Sequence, residues 1–109
     1  MKNFNFNPIS FRSLNQLESL QDSIETCESI LNNPAAFYGD EEEWEQIKRE
    51  KDYSEKYQNR ILKRLGFDRL QTVVDTYRVA IATKDFKTAD YLIPILDACN
   101  VRFGINTVL

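Results

Sequence analysis

The sequence predicts an all-α domain: a four-helix arrangement built on a C-terminal αα-hairpin, with short extended termini. Three observations predict it. Apolar residues recur at three- and four-residue steps over most of the 109-residue chain. Three glycines and three prolines are too few for a turn-rich sandwich or barrel. Stop and start signals divide the periodic stretches into segments of helical length. One hundred and nine residues suffice for one domain with one core. Hydrophobic residues at 42%, with seven Phe, five Tyr and one Trp, suit a packed core rather than disorder.

The hairpin is the best specified part. Its first arm, residues 69–84, follows Asp68, whose carboxylate is placed to cap it. Gln71 is placed to reach back in a capping box, and Phe67 to act as a hydrophobic staple. Leu70, Val73, Val74, Tyr77, Ala80 and Ile81 share one face. Asp85 closes this arm and caps the next, where its charge complements the helix dipole. The second arm, residues 86–99, presents Phe86, Ala89, Leu92, Ile93 and Leu96 as its main face, with Tyr91 and Ile95 on roughly the opposite side. An arm apolar on two sides is either central or in contact with a partner, so Tyr91 and Ile95 are candidate partner-binding residues. Asn100 is a left-handed stop with Val101 folding back. Pro94, inside the arm, predicts a kink or an interruption near Asp90–Pro94.

Ala80, Lys84, Asp85, Phe86, Ala89, Asp90, Leu92, Leu96, Asn100 and Val101 form a pattern that resembles the C-terminal hairpin of cysteinyl-tRNA synthetases. More loosely, it is similar to the UVR hairpin of bacterial excision-repair proteins, which binds other proteins. The resemblance spans residues 77–101. It departs at Ile93, where the synthetases usually have arginine, at Asn100 in place of glycine, and in lacking the following Asp-Thr. The synthetase active-site motifs and zinc ligands are absent, and the chain has no histidine. The resemblance therefore implies a hairpin that contacts RNA or protein without aminoacylation.

The N-terminal residues 1–12 alternate Phe and Asn and predict an extended arm that Pro8 ends. Ser13 is expected to cap a helix over 14–31, whose Leu17, Leu20, Ile24, Cys27 and Leu31 make a two-repeat heptad seam. Asn32, Asn33 and Pro34 stop it. Asp40 caps a long helix over 41–65, with acids in its first turn and Gly66 as its stop. Residues 101–109 alternate again. The two ends are expected to pair over the helices, or to dock on a second subunit as a homo-oligomer contact.

The long helix is anomalous. Trp44 and Ile47 anchor its start, and Ile61, Leu62 and Leu65 its end. Between them no aliphatic residue falls, and Lys51, Ser54 and Gln58 occupy the expected apolar face. This waist is expected to bridge solvent or overhang the core. Tyr53 and Tyr57, four apart, are expected to form either a contact spot or rings laid flat on the helix or under another loop. Lys56, Arg60, Lys63 and Arg64, followed by Arg69, make a basic patch. It either serves an RNA contact or balances a helix C-terminus through pairing with Glu55 or Asp68.

Seventeen acids against fourteen bases leave a net charge of −3, which argues against nucleic-acid binding by bulk charge. With no histidine the usual base near neutral pH is missing, and no glycine-rich phosphate loop is present. Cys27 and Cys99 read as small buried hydrophobes. No cofactor and no metal is expected. The N-terminus does not read as a signal peptide and no run is long enough to span a membrane, so a cytoplasmic location is expected. The expected function is non-enzymatic: an adaptor, assembly factor or inhibitor that binds a protein. An RNA-binding accessory factor is the alternative, and an enzyme with a carboxylate site is a third reading.

Overall fold

The computed structural model describes residues 8–101, and among them four α-helices and no strand. The helices are α1 (Phe11–Leu31), α2 (Glu41–Arg64), α3 (Leu70–Ala82) and α4 (Phe86–Ala98). A single 3-10 turn, Pro34–Ala36, lies in the α1–α2 connection. The predicted extended ends lie largely outside the described residues, and so does any contact they make with a second copy.

Each boundary has a local cause. Helix α1 starts three residues before its expected position because Ser10, not Ser13, is the cap: its hydroxyl accepts from the Ser13 amide at 3.1 Å. Asp40 Oδ1 accepts from the Glu43 amide at 2.8 Å, and Glu41, Glu42 and Glu43 fill the first turn of α2 as expected. Asp85 caps α4 doubly, accepting from the Thr88 amide at 3.3 Å and the Thr88 hydroxyl at 2.7 Å. Asp68 does not cap α3. Arg69 holds that position without a side-chain bond, and the Gln71 amide reaches forward one turn to Asp75 at 2.9 Å.

Helices α2, α3 and α4 end the same way. The residues after the last turn, Gly66 (φ 104), Lys84 (φ 59) and Asn100 (φ 56), take left-handed conformations. The following amides reach back five residues: Phe67 to Leu62 at 2.9 Å, Asp85 to Ala80 at 2.8 Å, and Val101 to Leu96 at 2.9 Å. These are Schellman closures, which satisfy carbonyls that a helix end would otherwise leave open. The first swings Phe67 into the core, where it is 6% exposed.

Helix α1 pairs with α2, α3 pairs with α4, and α4 lies against α1. The core forms where the two hairpins meet. It takes Leu17 from α1, Ile61 and Leu62 from α2, Val73, Val74, Tyr77 and Ala80 from α3, and Ala89, Leu92, Ile95, Leu96 and Cys99 from α4 and its cap. Ala80 and Ala89 are both buried, as expected of small residues at a close crossing. Helix α2 rises about 36 Å against about 20 Å for α3 or α4. The molecule is accordingly elongated, 54 × 30 × 21 Å. The start of α2 is supported separately, by Trp44 against Phe37 with ring centroids 5.0 Å apart.

Two expectations about α4 change. Ile95 is fully buried, whereas Phe86 and Ile93, assigned to the core face, are 58% and 47% exposed. Helix α4 is flanked by α3 on one side and α1 on another, which rolls its buried sector toward Ile95 and Cys99. Phe86 and Ile93, seven apart, then share the outer face with Asp90 and Pro94. Helix α4 also remains one helix through Pro94, with no interruption. Pro94 supplies no amide for the Asp90 carbonyl, and its exposed position leaves room for the ring. Pro94→Ala should therefore stabilise the fold by about 1–3 kcal/mol, the usual helical penalty of proline less what local distortion already absorbs. Thermal unfolding followed by circular dichroism checks this; a lowered Tm would mean that the proline is part of the packing.

Candidate docking surface on the second helix

The expectation that the waist of α2 bridges solvent fails on its inner side, where Ser54 and Gln58 are buried against α1. Its Lys51, Ser54 and Gln58 face packs against α1 as a polar seam. The Ser54 hydroxyl donates to the Ser23 hydroxyl at 3.2 Å, and Gln58 Nε2 to Gln21 Oε1 at 2.8 Å. Gln58 Nε2 also lies 3.8 Å from Cys99 Sγ, and Lys51 Nζ lies 3.9 Å from the Glu28 carboxylate. Ser54 and Gln58 are 3% and 6% exposed. Their partners are polar residues of α1 that lie beside its apolar seam, so a face without aliphatic residues is still buried. No buried side-chain nitrogen or oxygen among the described residues lacks a hydrogen-bond partner.

The seam sets the outward face. Tyr53 and Tyr57 each precede a buried seam residue by one position, which turns them about 100° away from α1. Tyr53 is 63% exposed and Tyr57 36%. Their ring centroids are 5.7 Å apart, and the Arg60 guanidinium sits 5.6 Å from the Tyr57 ring centroid. This is cation–π range, so Tyr57 holds Arg60 against the helix. The rings pack against each other and Arg60; they do not lie under another loop.

The expected basic patch is exposed throughout, but its members differ. Lys56 pairs with Asp52 at 3.0 Å. Glu55, the expected partner for this patch, pairs with Lys51 at 3.7 Å instead. Arg60, Lys63, Arg64 and Arg69 form no ion pair with any described carboxylate. Arg60 and Arg64 continue the line of Tyr53 and Tyr57; Lys56 and Lys63 run beside it, and Arg69 lies beyond the helix end. Arg49, seven residues before Lys56, extends the basic line, and its Nε donates to the Glu45 carbonyl at 3.4 Å. Seven-residue spacing within the sequence was sufficient to place Arg49 there.

Two candidate residues fall elsewhere. Ile95 is a core residue with no exposed surface, and it is withdrawn as a binding residue. Tyr91 is half-buried against the core, and burial pushes its hydroxyl pKa up. Helix α4 therefore presents neither as a protruding contact, and Tyr53 and Tyr57 remain the exposed pair.

Other chemistry finds little footing. A cavity of about 390 Å³ between α3 and the start of α4 is lined by Thr72, Asp75, Thr76, Val79, Thr83 and Asp85 among others. Thr76 and Thr83 donate to the Thr72 and Val79 carbonyls at 2.7 and 2.8 Å, and Asp85 is engaged as a cap. These groups thus serve the helices themselves. No group of three or more His, Cys, Asp or Glu able to hold a metal occurs among the described residues. Cys27 and Cys99 are free thiols, both buried. Burial pushes the Cys99 pKa up to about 12 and, together with Glu50, raises that of Cys27, so both remain neutral and weakly nucleophilic near pH 7. No helix among the described residues is long and apolar enough to cross a membrane.

The chain matches no known family model, no curated protein and no solved structure.

Tyrosine modification with tetranitromethane, read by mass spectrometry, checks the rotation of α2. Tyr38 (97% exposed) and Tyr53 should react first, Tyr57 more slowly, and Tyr77 (5% exposed) only on unfolding. Equal protection of Tyr53 and Tyr77 would contradict the outward assignment.

Proposed function

We propose that the protein is a non-enzymatic interaction module, an adaptor, assembly factor or inhibitor, that binds a protein partner along the outer face of α2. The observation that supports this most is the exposed Tyr53–Tyr57 pair backed by Arg60, on a helix whose other side is fully engaged with α1. Tyrosine and arginine dominate binding energy at protein interfaces, because each combines a large contact area with a polar end. Paired rings with a stacked guanidinium are partly ordered before binding, which lowers the entropy lost on docking. The absence of histidine and the neutral buried thiols, together with a cavity between α3 and α4 in which Thr76, Thr83, Thr88 and Asp85 are already engaged, support a binding rather than a catalytic role. In the source cell, the chain with Tyr53 replaced by photo-reactive benzoylphenylalanine should cross-link one discrete protein. Adding Tyr57→Ala should remove the product. Replacing Ser19 on α1 instead should yield none; the same products from both positions would contradict the reading.

Arg60, Lys63, Arg64 and Arg69, which form no ion pair with a described carboxylate, favour a second reading, an RNA-binding accessory factor, in line with the tRNA-enzyme resemblance of residues 77–101. That reading predicts RNA retention that falls steeply with salt and is lost with Arg60→Glu plus Lys63→Glu. Retention unchanged by either would exclude it.

A further inference from the structure

We infer that the partner element seated on α2 is itself a helix, and that the side facing Lys56 and Lys63 carries carboxylates at seven-residue intervals. The inference rests on the reading of α2 as a protein-docking face and specifies what docks there. Its basis is the arrangement of two parallel lines on one exposed surface. Tyr53, Tyr57, Arg60 and Arg64 advance by four, three and four residues, the step of a seam that faces a second helix. Arg49, Lys56 and Lys63 advance by seven each beside them, where a paired helix places its charge contacts. All seven are exposed, and Arg49 to Arg64 spans about 22 Å of helix, or two heptads.

The charges select among occupants. A continuous polyanion lying along this surface would also meet Glu42, Glu50 and Asp52, which are exposed on or beside the same lines. Nucleic acid cannot omit phosphates at those places. A helix can place lysine or a neutral residue opposite them, and acids opposite Lys63 and opposite Lys56, whose exposed pair with Asp52 at 3.0 Å then exchanges for the partner's carboxylate. The surface is also one side of a single helix, and its open depression of about 600 Å³ beside Arg49 and Tyr53 is lined by Glu42 and Glu50 as well. It offers two ring faces already packed at 5.7 Å, with one covered by Arg60, rather than a groove with free platforms for bases. A long helix meets such a side over its whole length, with Tyr53 and Tyr57 as anchors and the lysines as register marks.

The test uses the intact chain and a synthetic helical peptide of about three heptads, with leucine at the seam positions and glutamate at seven-residue intervals on both flanks. Fluorescence anisotropy at physiological salt should show the peptide binding about tenfold or more tightly than a permuted peptide of the same composition. Lys56→Glu with Lys63→Glu should weaken it by about tenfold or more, and a peptide with lysine for glutamate should regain binding to that variant. Circular dichroism confirms that the exposed substitutions leave the helices intact. Equal binding of the permuted peptide, or binding unaffected by charge reversal, would overturn the inference. Tighter binding of single-stranded oligouridine than of the peptide would overturn it in favour of nucleic acid. Salt-sensitive dimerisation of the chain alone, abolished by the same two substitutions, would assign the face to a second copy. Loss of peptide preference with the Tyr53 cross-link intact would sink this inference alone; loss of both would also sink the reading it rests on.

Discussion

Between α1 and α2, Gln58 donates to Gln21 at 2.8 Å and the Ser54 hydroxyl meets that of Ser23 at 3.2 Å, both under cover from solvent. A helix interface of aliphatic residues alone tolerates some roll, because one methyl group can replace another at little cost. A buried amide tolerates less, since leaving its polar atoms unmatched costs about 1–3 kcal/mol. The seam therefore fixes how α2 is turned about its own axis. Every statement about its outward face follows from that angle, and so does the separation between the packed and the open side of the molecule.

Below the seam the fold is closed by hydrophobic burial. Ile61 and Leu62 bring the end of α2 to the α3–α4 hairpin, and Phe67 is swung under them by the closure at Gly66. Three helices in succession end on a left-handed residue, yet only the first uses glycine. Lys84 and Asn100 adopt that conformation because the backbone bonds from Asp85 and Val101 back into the helices require it. Asn100 adds a tie to α1, its amide donating to Glu25 at 3.0 Å. The distal half of the α1–α2 hairpin lies beyond this core, supported by Ile24 and Cys27, the Ser23–Ser54 and Glu28–Lys51 contacts and the Phe37–Trp44 pair. The exposed Tyr53–Arg64 face of α2 thus starts on the projecting half and ends over the core.

Much of the architecture was legible in the sequence, because each helix carries its own punctuation. Asp40, Asp85, Gly66 and Asn100 mark ends whose chemistry is local, and apolar periodicity identifies α1, α3 and the end of α2. What was not legible depends on several helices at once. Ile95 and Ile93 are two positions apart, and the sequence cannot say which of them faces the core until α1 and α3 are in place on either side of α4. Ser54 and Gln58 fail every test of hydrophobicity, yet they are buried because α1 offers Ser23 and Gln21 opposite them. At Asp68 the motif was present, but the chain enters α3 one residue later, out of reach. For the candidate site, the spacing of Tyr53 and Tyr57 was enough to pair them. Their exposure followed only from the seam, and the stacking of Arg60 on Tyr57 only from the folded helix.

A helix whose waist is polar on its packed side and aromatic and basic on its open side inverts the usual arrangement over that stretch. The inversion costs little, because the buried polar groups are matched, and it leaves the large amphipathic side chains where a partner can reach them. The most direct measurement of this account is a nuclear Overhauser spectrum of the labelled protein, read at the Gln58 side-chain amide. The account predicts cross-peaks from that amide to Gln21 and to the Cys99 β-protons, with none from the Tyr53 ring to α1. A freely exchanging Gln58 amide, with Tyr53 or Tyr57 ring contacts to α1, would contradict it.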